Sequence, residues 1–130
     1  MADVVSTQVL TDTTGVKFGV KMTNISDGTG ENLVKKVDAS NTTFMTEDGE
    51  RKISKIFWSV NTQSGKSAVE LIWDGETNAT AVSLSGQGFW DLRADGNEIT
   101  NNATSPTGDV LLSTRNFATG DNYTILVVFR

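Results

Sequence analysis

Apolar residues recur at every second position in several short runs of this chain, and the clearest run lies between Ser67 and Leu92. This alternation is typical of β-strands that bury one face and expose the other. Helical spacing is not sustained anywhere in the sequence. The residues that show the period of two are Val16 and Phe18, then Ile56, Trp58 and Val60, and then Val69, Leu71, Trp73, Val82 and Leu84.

Short turn-forming segments separate these runs. Each combines Gly with Asp, Asn or Ser, and Asp74–Gly75 is predicted to turn the chain directly after Trp73. Gly adopts positive φ without strain, and Asp and Asn bond to their own backbone in turns. Many turns between short strands are typical of a sandwich or jelly roll. We therefore predict an all-β fold, a single antiparallel β-sandwich or jelly-roll-like domain of about eight strands over residues 1–130.

Three further segments allow specific predictions. The run 123–129 is apolar on both faces, so it should lie in the middle of a sheet, covered on each side, or have one face buried by a neighbouring subunit. The stretch 97–107 holds the only proline, Pro106, and we predict a long surface loop there. The run Leu33–Asp38 fits a strand or a single helical turn, and we interpret it as a strand.

The composition excludes several kinds of chemistry. The chain has no Cys and no His, so disulfides, thiolate or imidazole metal sites and Ser-His-Asp triads cannot form. Carboxylate catalysis remains open in principle, but turns and solvent-facing strand positions explain the acidic residues better. We expect no catalytic residues, no metal and no cofactor. The carboxylates considered are Glu70, Asp74, Glu76 and Asp91.

Charge and the start of the sequence bear on partners. The net charge is −5, and the 11 Lys and Arg residues are scattered, so we expect no nucleic-acid binding. The first residues show neither a positively charged segment nor a long apolar stretch. We therefore expect no signal peptide and no membrane association.

The large aromatic residues divide into two groups. Trp58 and Trp73 share the inward phase of their strands, which predicts burial. Phe89 and Trp90 follow a Gly-Gln-Gly segment and are predicted to form an aromatic anchor at an interface, where such residues often dominate binding. Aromatic residues exposed in a row would instead allow stacking on sugars.

A set of short segments, spread over nearly the whole chain, carries a family resemblance. They are residues 22–31, Val34 with 36–38, Ile56 with Trp58, 69–74, 84–88, 107–110, and an apolar last strand that ends in Arg130. In order and spacing they resemble small β-rich structural proteins of tailed bacteriophages, including marine and cyanobacterial phages. The resemblance implies a virion component, a capsid decoration or cement protein, and it brings no catalytic residues with it.

The leading hypothesis is a non-enzymatic decoration or cement protein that binds the major capsid protein on the outer head shell and stabilises it. Self-association as a homo-oligomer is a further hypothesis. The alternatives are a tail, neck or fibre-associated module and a carbohydrate-binding domain for host attachment, which would need aligned exposed aromatic residues beside Asn, Asp or Gln. The expected location is the virion surface, after synthesis in the host cytoplasm. The predicted partner contacts are Val4, Val5, Phe89, Trp90, Thr104 and Pro106.

Overall fold

A computed structural model describes residues 4–13, 17–28, 30–37, 52–63, 66–92, 96 and 98–130. In these residues the chain forms nine β-strands and no helix, which confirms the all-β prediction. The strands are β1 (Val4–Thr13), β2 (Lys17–Ile25), β3 (Val34–Val37), β4 (Ile53–Asn61), β5 (Ala68–Thr77), β6 (Ala79–Leu84), β7 (Gly86–Asp91), β8 (Thr104–Arg115) and β9 (Asn122–Phe129). The run Leu33–Asp38 contains β3, as interpreted, although Asp38 lies outside the described residues.

The strands form two antiparallel sheets packed face to face. The larger sheet has the order β1-β2-β9-β4-β7, and the smaller has the order β3-β8-β5-β6. From β2 onward the pairing is nested, because β2 pairs with β9, β3 with β8, β4 with β7, and β5 with β6. A long hairpin rolled into two sheets is the topology of a jelly roll. The predicted sandwich is therefore confirmed, with β1 added beside β2.

The core lies between the two sheets, and β9 shows how the sequence builds it. Tyr123, Ile125, Val127 and Phe129 alternate along β9 and are at most 1% exposed, whereas the residues between them are half-buried on the outer face. β9 lies between β2 and β4, so its predicted place in the middle of a sheet is confirmed, but the predicted cover on both faces is not seen, because its outer face is only half-buried. Trp73 is 1% exposed and packs edge-to-face against Phe129, with ring centroids 6.2 Å apart.

The turn predicted at Asp74–Gly75 is wrong. Strand β5 continues through both residues, and its pairing with β8 is irregular between Trp73 and Gly75. The Asp74 carboxylate accepts a hydrogen bond from Thr107 Oγ1 at 2.9 Å, so it binds the neighbouring strand. Asn78 supplies the turn instead, because its Oδ1 accepts a bond from Gly75 N at 3.1 Å and it separates β5 from β6.

The long loop predicted over 97–107 is also wrong in extent. Residues 104–107 belong to β8, where Pro106 is the pairing partner of Gly75 in β5. On the other side of β8, the described pairs with β3 reach only from Leu112 to Val110. Proline lacks a backbone N–H, so Pro106 cannot donate a hydrogen bond to a neighbouring strand. Asn97 lies outside the described residues.

Candidate functional site

The predicted contact residues do not form one surface. The larger sheet carries β1 at one edge and β7 at the other, with β2, β9 and β4 between them. At about 4.8 Å between neighbouring strands, these edges are roughly 19 Å apart. Val4 and Val5 lie in β1, Phe89 and Trp90 in β7, and Thr104 and Pro106 in β8 of the smaller sheet. Of these side chains, Val5 is 43%, Phe89 64% and Trp90 47% exposed, and Thr104 is also exposed.

Phe89 and Trp90 point to opposite faces of β7, because neighbouring residues of a strand alternate. Trp90 pairs with the buried Ile56, so it lies on the face of β7 that is turned toward the core. It is nevertheless 47% exposed, and β7 is the edge strand of its sheet. Phe89 pairs with Phe57 of β4 on the outer face. Phe57 is 39% exposed and does not stand out in the sequence, although it occupies the solvent phase between Ile56 and Trp58.

Gly88 and Trp58 together position β7. A Cβ atom on Gly88 would overlap Trp58 Cζ2, so only glycine leaves room for the indole against this strand. Trp58 Nε1 donates a 3.0 Å hydrogen bond to the carbonyl oxygen of Ser85, at the crossing from β6 to β7. Trp58 is half-buried against the core, so its predicted burial is partly realised, and it fixes the strand that presents Phe89.

Two parallel rows of side chains cross the outer face of the larger sheet. Residues directly opposite each other in antiparallel strands lie on the same face of the sheet. Successive pairing partners therefore form a continuous row across the strands. The first row consists of Lys21, Leu126, Phe57 and Phe89, and we call it the aromatic row after its two phenylalanines. The polar row consists of Ser6, Thr23, Thr124, Ser59 and Gln87.

An amide chain and a cavity extend the polar row. Gln87 Nε2 donates to Asn61 Oδ1 at 3.3 Å, and Asn61 Nδ2 donates to Asn122 Oδ1 at 3.1 Å. Asn122 in turn borders a cavity of about 430 Å³ between the ends of β2 and β9. The cavity is lined by Thr23, Asn24, Ile25, Asn122, Tyr123 and Thr124.

The opposite side of the sandwich exposes aliphatic residues. Val5 and Val34 pair with the buried residues Asn24 and Leu112, so both have the inward phase, yet they are 43% and 37% exposed. Leu33 precedes Val34 and is 46% exposed. We call Val5, Leu33 and Val34 the aliphatic edge. Leu33 has φ of 51°, a left-handed conformation that costs a leucine about 1 kcal/mol.

A buried ion pair supports the aliphatic edge. Lys36 of β3 contacts the Glu31 carboxylate, which also accepts hydrogen bonds from Tyr123 OH and Asn24 Nδ2, each at 2.6 Å. Because Asn24 and Tyr123 belong to the larger sheet and Lys36 to the smaller one, this carboxylate joins the two sheets. The backbone N–H of Leu33 donates to Ser113 Oγ at 2.8 Å.

The four carboxylates considered for catalysis are dispersed. Glu70 of β5 pairs with Arg115, whereas Asp91 of β7 lies 3.8 Å from Lys55 Nζ on the other sheet. Asp74 binds Thr107, and Glu76 is exposed. Within the described residues, no group of three or more acidic side chains is arranged to hold a metal ion. Those residues also contain no helix long and apolar enough to cross a membrane.

Comparison of the chain with protein-family models, curated proteins and solved structures gave no match. The resemblance to structural proteins of tailed phages therefore stays a prediction. The surfaces that combine exposed apolar or hydrogen-bonding side chains are the aliphatic edge and the two rows on the outer face of the larger sheet.

Proposed function

We propose that this chain is a non-enzymatic virion structural protein that decorates the outer head shell of a phage by binding the major capsid protein. The observation that carries the proposal is the aliphatic edge, where Val5, Leu33 and Val34 are each more than a third exposed. Single exposed apolar residues are ordinary. Val5 pairs with Asn24, which binds Glu31, two residues before Leu33. Exposed apolar residues brought to one side of the sandwich in this way fit the apolar centre of a protein interface.

The support beneath this edge strengthens the proposal. A buried ion pair gives a fold little net stability, because desolvation of both charges offsets their attraction. Here it fixes the segment from Glu31 to Lys36 against both sheets. Leu33 is held in a strained conformation with its side chain in solvent, and such strain often occurs at functional sites. A rigid edge binds with little loss of conformational entropy.

A decoration protein of this kind acts through binding energy alone. When it binds across neighbouring capsid subunits, its binding free energy must be lost before the shell can open. Many copies per shell, and any oligomer of the protein itself, make modest individual contacts sufficient. Jelly rolls occur in viral capsid and lectin domains, which is an analogy of fold and not evidence of function.

Titration of purified protein onto undecorated phage heads tests the proposal. We expect saturation at a fixed number of copies, and a shell that resists heat better when decorated. The double variant Leu33→Ser/Val34→Ser should bind at least tenfold more weakly, since an interface hot spot contributes about 2 kcal/mol. Phe89→Ser, at the other edge of the larger sheet, serves as the matched control and should bind normally.

Two results would contradict the proposal. Absence of binding to heads at every salt concentration excludes a decoration role. If binding depends on Phe89 and not on Leu33 and Val34, the capsid contact lies at the β7 edge and not at the aliphatic edge. A reconstruction of the intact particle separates a head location from the alternative location at the tail, neck or fibres.

A further inference from the structure

We propose that the outer face of the larger sheet is a binding site for a neutral oligosaccharide. The site combines the aromatic row, the polar row and the cavity between β2 and β9. It goes beyond the decoration role, because it uses a different surface from the aliphatic edge. A decorated shell would then carry many copies of a weak sugar-binding site.

The polar row supplies the hydrogen bonds. Hydroxyl and amide groups both donate and accept, as sugar hydroxyls do, and Thr124, Ser59 and Gln87 stand side by side across three strands. The bonds from Gln87 to Asn61 and from Asn61 to Asn122 place three amide side chains next to one another. Ligand hydroxyl groups that reach them can replace these exposed bonds.

The aromatic row supplies an apolar platform. Phe57 and Phe89 are directly paired and are 39% and 64% exposed. They lie two residues along their strands from Ser59 and Gln87, at a separation of about 7 Å. A pyranose ring has an apolar C–H face and a rim of hydroxyl groups, so one sugar can contact an aromatic ring with its face and the polar row with its rim. The polar row crosses all five strands of the sheet, which provides room for several rings.

The cavity adds an open depression at the β2–β9 part of the polar row. Its volume of about 430 Å³ suits a small polar ring, and Thr23, Thr124 and Asn122 line it together with the apolar Ile25. Polar groups beside an apolar wall are the usual composition of a small-molecule site. Because Thr23 and Thr124 belong to the polar row as well, the cavity and the row are continuous.

The charges favour a neutral sugar over other ligands. Among the side chains that the structure describes, the cations beside the two rows are Lys21 and Lys55, and Lys55 is paired with Asp91 at 3.8 Å. Phosphate-bearing ligands require several clustered cations. The polar row beside Leu126, Phe57 and Phe89 favours a ligand that offers hydroxyl groups as well as an apolar face. A neutral oligosaccharide matches both rows at once.

Ligand-observed NMR with cellohexaose, maltohexaose and chitohexaose as probes tests the site on the intact chain. At least one probe should bind saturably in the millimolar range or more tightly. Phe89→Leu should weaken binding about tenfold, because leucine keeps the apolar bulk and loses the flat ring. Phe89→Tyr keeps the ring and should bind as the parent does.

Trp90→Ala is the matched control, since Trp90 is the neighbouring aromatic residue on the opposite face of β7. It should leave sugar binding unchanged, and its circular dichroism reports whether the fold is intact. The proposal is overturned if none of the three hexasaccharides binds. It is equally overturned if Phe89→Leu binds as tightly as the parent, or if Trp90→Ala alone abolishes binding while the fold is intact.

Discussion

Lys36 Nζ lies 2.6 Å from Glu31 Oε2, and the two side chains are only 2% and 4% exposed. The other carboxylate oxygen, Glu31 Oε1, accepts hydrogen bonds from Tyr123 and Asn24. Loss of either charge would leave its partner buried without compensation. The stability of the sandwich therefore depends on both residues, although neither belongs to the apolar core.

Replacement of Lys36 by methionine should reduce the free energy of unfolding by about 3–5 kcal/mol, because it leaves the Glu31 carboxylate buried without its cation. Urea denaturation measures the change. Lys35→Met is the matched control, since Lys35 pairs with Asp109 at 3.1 Å but is 49% exposed. Because Lys35 is half-exposed, water screens its charge, and we expect a smaller loss than at Lys36 even though the Asp109 side chain is only 12% exposed. If both variants lose the same free energy of unfolding, the buried pair contributes no more to stability than the Lys35–Asp109 pair.

Tyr123→Phe removes only the hydroxyl that donates to Glu31 Oε1. We expect a loss of about 1–3 kcal/mol, the usual cost when a buried charged acceptor loses a donor. The same denaturation experiment measures it. In the Glu31→Gln background the effect of Tyr123→Phe should be smaller, because the acceptor is no longer charged. Equal effects in both backgrounds would contradict the proposed coupling between these residues.

Gly88→Ala should disturb Trp58 directly, since the new Cβ would meet the indole ring. We expect a loss of about 1–3 kcal/mol from overpacking and a changed near-ultraviolet circular dichroism spectrum. Gly86→Ala is the control. Gly86 has φ of 64°, and a Cβ atom added there would meet no atom within 4 Å. Backbone strain of about 1 kcal/mol should therefore appear without a change at the tryptophan.

Leu33→Gly should separate stability from binding. Glycine relieves the left-handed conformation of Leu33, so the free energy of unfolding should stay the same or rise by about 1 kcal/mol. Binding to phage heads should nevertheless weaken, because the exposed side chain is gone. Val34→Gly lies within β3 and should lower stability instead, by about 0.5–1 kcal/mol. A parallel loss of stability and binding in Leu33→Gly would contradict this separation.

Much of the fold is predictable because strand alternation is a local property. The period of two places Ile56 and Val60 on the inward face, where both are buried, and Trp73 is buried as predicted. The central place of β9 follows from its two apolar faces. The misplaced turn at Asp74–Gly75 shows the limit of local reasoning, because Asp74 is bound by Thr107 from a distant part of the sequence.

The functional surfaces are less predictable, since they depend on strand register between distant segments. Nothing near Phe57 in the sequence indicates that it pairs with Phe89. The burial of Glu31 and Lys36 is also not evident from the sequence, because charged residues are normally assigned to solvent. Only the folded chain brings Tyr123 and Asn24 to the same carboxylate.

The nested pairing of strands has a consequence for how the protein is made. The hairpin of β5 and β6 is local, so it can form early during synthesis. The larger sheet differs, because its central strand β9 is separated from its partner β2 by most of the sequence. Contacts between such distant segments form slowly. Until β9 has left the ribosome, β2 and β4 have no strand between them, and the newly made chain exposes the edges of both.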